Sequence, residues 1–341
     1  MSDALKGLFS AFARGIVAVP ENASGFLMRA EPPLDDSWRQ RLTCEQTFKP
    51  AHDALAAAGA RVTRRLEGSF DFGFCLLTKH RAENLANIAR AWKLTRSGGV
   101  LVCAGAKSAG AQTVERSVVR ALADAHEGGV EGFAKHHGRI FWFTRAARVP
   151  SVLEQWAAGG DLQKVAATGC LSRPGIFSWD EIDAGSRLLA DALPANMSGA
   201  VADLGAGWGY LALELLKRCP EIARLDLYEA EWLALEAARA NLEALHHAPA
   251  LGFHWHDVAA DALPRRYDGV VMNPPFHTGR AADVELGRAF VAAAAIALHP
   301  GGRLLMVANR HLPYEAALKA NFASWRTLRE EARFKVIEAT R

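Results

Sequence analysis

The residues best suited to chemistry lie at 273–276, where the sequence Asn-Pro-Pro-Phe follows the apolar run 270–272. The apolar run predicts a buried strand, and the two prolines end it, because proline lacks a backbone N–H and continues neither a strand nor a helix. The side-chain amide of Asn273 and the carbonyl of Pro274 then offer two hydrogen-bond acceptors, and Phe276 offers a flat ring. Together these groups could hold a planar NH2 group, either the exocyclic amine of a nucleobase or a carboxamide.

A simpler interpretation is a Pro-Pro loop that ends a core strand, with asparagine as an ordinary turn residue. A glycine-rich turn upstream weighs against it: Gly205, Gly207 and Gly209 follow the predicted strand 201–204 and precede the predicted helix 210–217. Glycines allow a backbone to approach a bound molecule closely. A glycine turn between a strand and a helix is typical of a cofactor site.

The acidic residues around this turn indicate the kind of cofactor. Asp203 precedes the first glycine, where its carboxylate would repel a pyrophosphate but could hold an ammonium group, and the pattern GAGWG differs from the dinucleotide pattern GxGxxG. Glu229 ends the next predicted strand, where a carboxylate can accept both ribose hydroxyls. Asp257 ends the following strand and is a candidate acceptor for an adenine amine. These features favour S-adenosylmethionine over a dinucleotide.

The elements that position these residues alternate between strands and helices, which predicts a doubly wound α/β fold. Both halves of the chain carry a similar strand–helix–strand series, with the segments FDFGFCLL and SGGVLVCAGAK in the first half and YDGVVMNP and PGGRLLMVANR in the second. The first half therefore resembles a duplicate of the second that lacks both the Pro-Pro loop and a glycine turn. We expect it to bind substrate or to act as a scaffold.

Chain length and the positions of prolines and glycines predict how the chain divides into domains. A chain of 341 residues favours two domains. Prolines and glycines mark 151–174 as a linker between a first domain at 1–150 and a catalytic domain at 175–341. The second domain is expected to carry a seven-stranded mixed sheet with one reversed strand. A helix is predicted at 181–193.

Charge and cysteine content limit the functional classes. Residues 1–170 carry a net charge of +6 and residues 171–341 a net charge of −3, so the first half either contacts a polyanion or has an ordinary solvated surface. The five scattered cysteines fit reduced thiols and indicate neither a disulfide framework nor a zinc site. No signal peptide and no run of eighteen apolar residues occurs, so a cytoplasmic location without a membrane contact is expected.

These motifs carry a resemblance to a known family. The order DLGAGWG, Glu229 and NPPF is similar to that of S-adenosylmethionine-dependent N-methyltransferases. The segments GIFSWDEIDAGSRLL, NPPFHTG, VANRHLPY and RFKV resemble the bacterial ribosomal RNA guanine-N2 methyltransferases, above all those of the 16S small-subunit type, over about 172–341. The resemblance implies two tandem Rossmann-like methyltransferase domains. The first would be degenerate and would serve RNA binding and stability.

The resemblance also implies residue roles. The catalytic residues would be Asn273, Pro274, Pro275 and Phe276. The cofactor would be held by Asp203, Gly205, Ala206, Gly207, Glu229 and Asp257. His277 and Arg310 would border the substrate, and no metal is expected. Glu229 departs from the family pattern, in which aspartate is common, but either carboxylate can hold the ribose.

Other targets fit the same residues. The expected activity is methylation of a guanine N2 amine in ribosomal RNA, most readily in 16S RNA, with naked RNA or the assembling small subunit as the partner. A guanine of 23S RNA, an adenine N6 amine or a protein glutamine would satisfy the same two acceptors. A non-catalytic RNA-binding protein with a vestigial cofactor fold is the more distant alternative.

Overall fold

The chain forms two compact units in a computed structural model that describes residues 1–124, 129–135, 137–245, 249–275 and 281–341. The first unit is Met1–Asp161 and the second is Leu162–Arg341. The division falls inside the segment 151–174 that the sequence marks as a linker. Among the helices in the described ranges, none has both the length and the apolar character needed to cross a membrane.

The first unit is a seven-stranded sheet with helices packed on it. Its strands are β1 (Gly25–Met28), β2 (Leu42–Glu45), β3 (Arg61–Thr63), β4 (Phe70–Leu76), β5 (Thr95–Ala106), β6 (Glu131–Lys135) and β7 (Gly138–Thr144). Its helices are α1 (Asp3–Ala13), α2 (Asp36–Arg39), α3 (Lys49–Ala57), α4 (Arg81–Leu94), α5 (Ala111–Asp124) and α6 (Val152–Ala158). The strand order is β3-β2-β1-β4-β5-β7-β6, and β7 runs antiparallel to both of its neighbours.

The second unit begins with a two-stranded sheet and continues into a second seven-stranded sheet. Its strands are β8 (Gln163–Lys164), β9 (Leu171–Ser172), β10 (Gly199–Leu204), β11 (Ile222–Glu229), β12 (Ala250–Trp255), β13 (Tyr267–Met272), β14 (Leu298–Asn309), β15 (Ser324–Glu331) and β16 (Phe334–Thr340). Its helices are α7 (Ala184–Ala192), α8 (Tyr210–Arg218), α9 (Trp232–Leu242), α10 (Ala281–Ala297) and α11 (Glu315–Asn321).

The two large sheets have the same topology. In the second unit the order is β12-β11-β10-β13-β14-β16-β15, with β16 antiparallel to its neighbours, and each strand therefore has a counterpart at the same place in the first unit. The predicted fold, two doubly wound units with a seven-stranded mixed sheet in the second, is confirmed. The internal sequence similarity reflects this shared topology.

The central strands are apolar because helices cover both faces of the sheet. In β13 the consecutive residues Val270, Val271 and Met272 are all buried, with Val271 in the core on one face and its two neighbours in the core on the other. Such a strand has no solvent-facing side chain at its end. The next residue, Asn273, therefore leaves the sheet at an edge surrounded by packed elements.

An ion pair between a buried carboxylate and a half-buried arginine ties β2 to α4 in the first unit. Glu45, which is 4% exposed, accepts hydrogen bonds from Arg90 Nη1 at 2.9 Å and Arg90 Nη2 at 2.6 Å. The backbone N–H of Leu66 donates to the same carboxylate at 2.8 Å. Removing the arginine would leave a buried carboxylate without a cation, and such losses typically cost about 3–5 kcal/mol.

We expect Arg90→Ala to lower the free energy of unfolding by about 3–5 kcal/mol, measured by urea denaturation. The matched control is Arg96→Ala, because Arg96 pairs with Asp71 where the two side chains are 58% and 30% exposed. That exposed pair should contribute less than about 1 kcal/mol. Equal losses in the two variants would contradict the structural role assigned to Glu45 and Arg90.

Candidate active site

Three neighbouring strands end together at the carboxyl edge of the second sheet. β10 lies between β11 and β13, and the register places Leu204 opposite Tyr228 on one side and Met272 on the other. The chain winds outward in opposite directions from this point, which makes it the place where doubly wound sheets bind ligands. The residues brought together here are Gly205, Glu229 and Asn273.

The glycine turn between β10 and α8 has backbone angles that favour glycine. Gly205, Gly207 and Gly209 have φ values of +73°, +56° and +91°. A Cβ atom at Gly205 would lie 3.9 Å from the carbonyl oxygen of Asn273, so the turn and the Pro-Pro loop face each other. A Cβ at Gly207 would meet no atom of the described residues within 4 Å. The turn therefore has room beside its central glycine, and the N–H of Ala206 is held by the carbonyl of Tyr228 at 3.1 Å.

Glu229 is fixed at the end of β11 by backbone donors. Its Oε2 accepts a hydrogen bond from Gly207 N at 2.8 Å, and its Oε1 accepts one from Glu231 N at 2.8 Å. Burial raises the pKa of Glu229, while these two N–H groups oppose that rise. A carboxylate oxygen can accept more than one hydrogen bond. Glu229 can therefore hold its position and still accept ligand hydroxyls.

Asp203 is a fully buried carboxylic acid at 0% exposure. Neither of its side-chain oxygens has a hydrogen-bond partner within 3.5 Å among the described residues. Burial, with a smaller contribution from the charge of Glu229, raises the pKa of Asp203 from 3.8 to about 8, and the backbone N–H of Ala212, although not hydrogen-bonded to its oxygens, weakly opposes this rise. A buried polar group without a partner is unfavourable unless a ligand satisfies it. The ammonium group of an amino-acid moiety fits this need.

The side-chain amide of Asn273 is held by two residues at the start of α7. Its Nδ2 donates to Asp183 Oδ2 at 3.0 Å and to Ser186 Oγ at 2.7 Å. Its Oδ1 is buried and has no hydrogen-bond partner among the described residues. Asp183 and Ser186, which hold this amide, were not among the residues predicted for the site.

The other predicted residues differ in what the structure shows of them. Pro274 is buried and Pro275 is half-buried, whereas Phe276 and His277 lie outside the described residues. Asp257 follows β12 at the same edge, where its Oδ1 accepts a hydrogen bond from Ala259 N at 3.0 Å. Among the described residues, no group of three His, Cys, Asp or Glu side chains is placed to hold a metal ion.

Arg310 follows β14 and is exposed. Its Nε lies 3.3 Å from Glu330 Oε2, and its Nη1 donates to the carbonyl of Ala332 at 3.3 Å. These partners belong to the hairpin of β15 and β16. A substrate role for Arg310 would therefore require the guanidinium to share or exchange these contacts.

The first unit has the same backbone frame with different side chains. Ala30 N donates to Glu45 O at 3.0 Å, as Ala206 N donates to Tyr228 O in the second unit. This shared hydrogen bond and the strand registers align the two edges position by position. The first unit thereby has Leu27, Arg29, Gln46 and Leu76 where the second has Asp203, Gly205, Glu229 and Asn273.

These four replacements fill the edge of the first sheet. Arg29 adopts φ +56° at the position of the first glycine, and its guanidinium donates to Thr47 Oγ1 at 2.9 Å and lies 3.4 Å from Glu83 Oε1. Gln46 donates to the carbonyl of Ala30 at 2.6 Å and accepts from Phe48 N at 2.9 Å. The chain's own groups thus occupy the places that a ligand could take in the second unit.

Comparison with known proteins places this architecture among methyltransferases. Residues 168–338 match the family model described as methyltransferase small domain. The chain is 39% identical over 164 residues to the ribosomal RNA large subunit methyltransferase G of Alcanivorax borkumensis, a match that covers 48% of this chain and 42% of the relative. It is 40% identical over 167 residues to the ribosomal RNA small subunit methyltransferase C of Pectobacterium atrosepticum, covering 49% of this chain and 47% of the relative.

One solved structure is similar over both units. The T. thermophilus 16S rRNA N2 G1207 methyltransferase, in complex with AdoMet and guanosine, superimposes with a TM-score of 0.76. The match has 26% sequence identity and covers 95% of this chain and 89% of that chain. By sequence alone, however, the alignments span about half the length of the curated relatives.

The raised pKa of Asp203 predicts a pH-dependent stability of the ligand-free protein. Between pH 3.8 and about 8 the folded state keeps a proton that the unfolded state releases, so this group makes stability fall as pH rises. The loss amounts to about 1.4 kcal/mol per pH unit at most. Asp203→Asn removes this component. The free energy of unfolding of the variant, relative to that of the wild type, should therefore increase from pH 5 to pH 8.5.

Urea unfolding across this pH range checks the expectation. Asp180→Asn is the matched control, because Asp180 is exposed and its replacement should leave the pH profile of the wild type unchanged. Parallel profiles for the wild type and Asp203→Asn would contradict a buried, protonated Asp203.

Proposed function

Because the chain belongs to the methyltransferase small domain family, we propose that it transfers a methyl group from S-adenosylmethionine to the exocyclic N2 amine of a guanine in ribosomal RNA. The observation that carries this proposal is the buried Oδ1 of Asn273, an acceptor with no partner among the described residues, beside a glycine turn. The first candidate substrate is 16S small-subunit RNA. The partner of the protein would be either the naked RNA or the assembling small subunit.

The residues around the glycine turn fit the cofactor. Asp203 would accept the ammonium group, since neither oxygen of this buried side chain has a hydrogen-bond partner within 3.5 Å among the described residues. The backbone of Gly205, Ala206 and Gly207 would lie against the cofactor, Glu229 would accept the ribose hydroxyls, and Asp257 would accept the adenine amine. S-adenosylmethionine would supply a methyl group bound to a positively charged sulfonium. The remainder of the cofactor would be the leaving group, as a neutral thioether.

The chain's own contribution is orientation and charge stabilisation. Asn273 Oδ1 and the Pro274 carbonyl would accept the two amine hydrogens and so direct the nitrogen lone pair toward the methyl donor. Orientation of this kind is worth roughly 7–11 kcal/mol. During methyl transfer from the bound cofactor, the two acceptors would stabilise the positive charge that develops on the amine nitrogen. The methylated nitrogen then releases a proton to solvent, so no strong base is required.

The similar proteins support guanine as the target. The T. thermophilus enzyme is named as an N2 methyltransferase and was solved with guanosine. A guanine of 23S RNA is the second candidate, because a relative at 39% identity is named for the large subunit. Phe276 would stack on the base, which is worth about 1–3 kcal/mol, and His277 and Arg310 would border it.

The first unit is the proposed RNA-contacting half. Residues 1–161 carry a net charge of +5, and Arg61 in the edge strand β3 is exposed, as are Arg64 and Arg65 just after it. Contacts of such residues with phosphates would position the RNA without reading its sequence. The base-specific contacts would then belong to the second unit.

The filled edge of the first unit predicts one cofactor per chain. Calorimetric titration of the full chain with S-adenosylmethionine should give a stoichiometry near one, because Arg29 and Gln46 occupy the corresponding place in the first unit. Two equivalents bound per chain would contradict the assignment of the first unit as degenerate.

Replacing Asn273 by alanine should abolish most methyl transfer. Loss of an oriented acceptor should lower kcat about 100-fold or more, while the Kd for S-adenosylmethionine changes less than about twofold. Transfer of labelled methyl groups to 16S RNA, 23S RNA, assembled subunits, DNA and protein would identify the substrate. Asn196→Ala is the matched control, because Asn196 is an exposed asparagine bonded to Arg303 Nη1 at 3.0 Å.

Near wild-type transfer by Asn273→Ala would overturn the assigned role. If the wild type methylated an adenine or a glutamine and left guanine unmethylated, the proposed substrate would be wrong and the proposed mechanism would stand.

A further inference from the structure

The amide of Asn273 has two ends with different surroundings. Its NH2 group has two hydrogens, and both have acceptors: Asp183 Oδ2 at 3.0 Å and Ser186 Oγ at 2.7 Å. Its oxygen is buried and has no partner among the described residues. Within the part of the chain that the structure describes, one end of the side chain is fixed by hydrogen bonds and the other can accept a hydrogen bond from a donor.

We propose that Asp183 and Ser186 are positioning residues for methyl transfer, which fix the Asn273 amide so that its oxygen faces the target amine. This inference rests on the proposed function and deepens it. A flipped amide would present its NH2 group to the amine of the substrate, and two donors repel each other. It would also place Oδ1 against the Asp183 carboxylate, which has acceptors only.

Asp183 determines the orientation and Ser186 supports it. A hydroxyl can donate or accept, so Ser186 alone would tolerate either orientation of the amide. An ionised carboxylate accepts only, so Asp183 distinguishes the two. The substrate class follows from this difference: the site takes a group that donates hydrogens, such as an exocyclic amine, and rejects a ring nitrogen that carries none.

The carboxylate is itself positioned by the start of α7. Asp183 is the N-cap of this helix, and its Oδ2 also accepts a hydrogen bond from Ser186 N at 2.8 Å. Gly185 leaves space for this arrangement, because a Cβ atom there would lie 3.1 Å from Asp183 Oδ2 and 3.1 Å from Phe334 Cε1. The helix thus carries both partners of the amide on one rigid turn.

The same hydrogen bond has an electrostatic effect. A negative charge next to the NH2 group polarises the amide and increases the electron density on its oxygen, because hydrogen bonds in a chain strengthen one another. That oxygen faces the nitrogen on which positive charge develops. Asp183 therefore acts on the transition state through Asn273, and its loss should affect kcat more than KM.

The first measurement needs no substrate. The side-chain amide protons of Asn273, identified in a ¹⁵N spectrum by their loss in Asn273→Ala, should lie downfield of those of the exposed Asn196 and exchange more slowly. They should move upfield in Asp183→Asn. Signals that match those of Asn196, or that stay unchanged in Asp183→Asn, would overturn the inference.

The second measurement is kinetic. Asp183→Asn keeps a good helix cap, and its kcat should fall about 10- to 100-fold with the KM for RNA and the Kd for S-adenosylmethionine nearly unchanged. In Ser186→Ala, kcat should fall less than in Asp183→Asn. Asp180→Asn is the matched control and should retain wild-type kinetics. A loss confined to KM, or no loss in Asp183→Asn, would contradict the positioning role.

A charge exchange separates positioning from helix capping. Asn273→Asp alone places two carboxylates in direct contact and should be nearly inactive. In the double variant Asp183→Asn/Asn273→Asp, the amide introduced at position 183 can donate to the new carboxylate, whose second oxygen still accepts from the target amine. We expect this pair to be at least about tenfold faster than Asn273→Asp alone. No recovery would show that Asp183 serves only as a cap.

The outcomes also separate this inference from the proposed function. If the amide signals behave as expected but the wild type methylates no guanine, the orientation stands and the proposed substrate fails. If guanine is methylated but the signals and kcat do not respond to Asp183→Asn, the substrate stands and the positioning role fails.

Discussion

The register of β10 between β11 and β13 is the constraint on which the whole site depends. It sets the ends of three strands at one level, so that Gly205, Glu229 and Asn273 meet although they are far apart in the sequence. A shift of one residue would turn every side chain of a strand to the opposite face of the sheet. Because both faces of these strands are packed, such a shift would also disrupt two cores. The chemistry is thus positioned by the interior of the sheet more than by the loops themselves.

The two units show how little of this chemistry belongs to the fold. Both sheets have the same strand order and the same reversed strand. At the carboxyl edge of the sheet, Asp203, Gly205, Glu229 and Asn273 of the second unit are replaced by Leu27, Arg29, Gln46 and Leu76 in the first. Function therefore resides in a site carried by the fold and not in the fold itself.

Sequence patterns predicted the elements that depend on local chemistry. Alternating strands and helices, the internal similarity and the glycine turn led to both sheets and to the residues at their edge. The partners of Asn273 could not be predicted in this way, because Asp183 and Ser186 lie 90 and 87 positions away from it and only folding brings them together. The helix predicted at 181–193 begins at Ala184, since Asp183 leaves the helix to cap it. The helix α1 was not predicted, although its buried residues Leu5, Leu8 and Ala11 have helical spacing.

The filled edge of the first unit has an evolutionary consequence. Leu27 is fully buried, so a return to aspartate would introduce a buried carboxylate before any ligand existed to satisfy it. A return from Arg29 to glycine would deprive the buried Glu83 of its nearby cation. Each of these single substitutions should therefore lower the stability of the first unit. The residues at this edge thus rely on one another's contacts, so a cofactor site could be built into the first unit only by replacing several of them together.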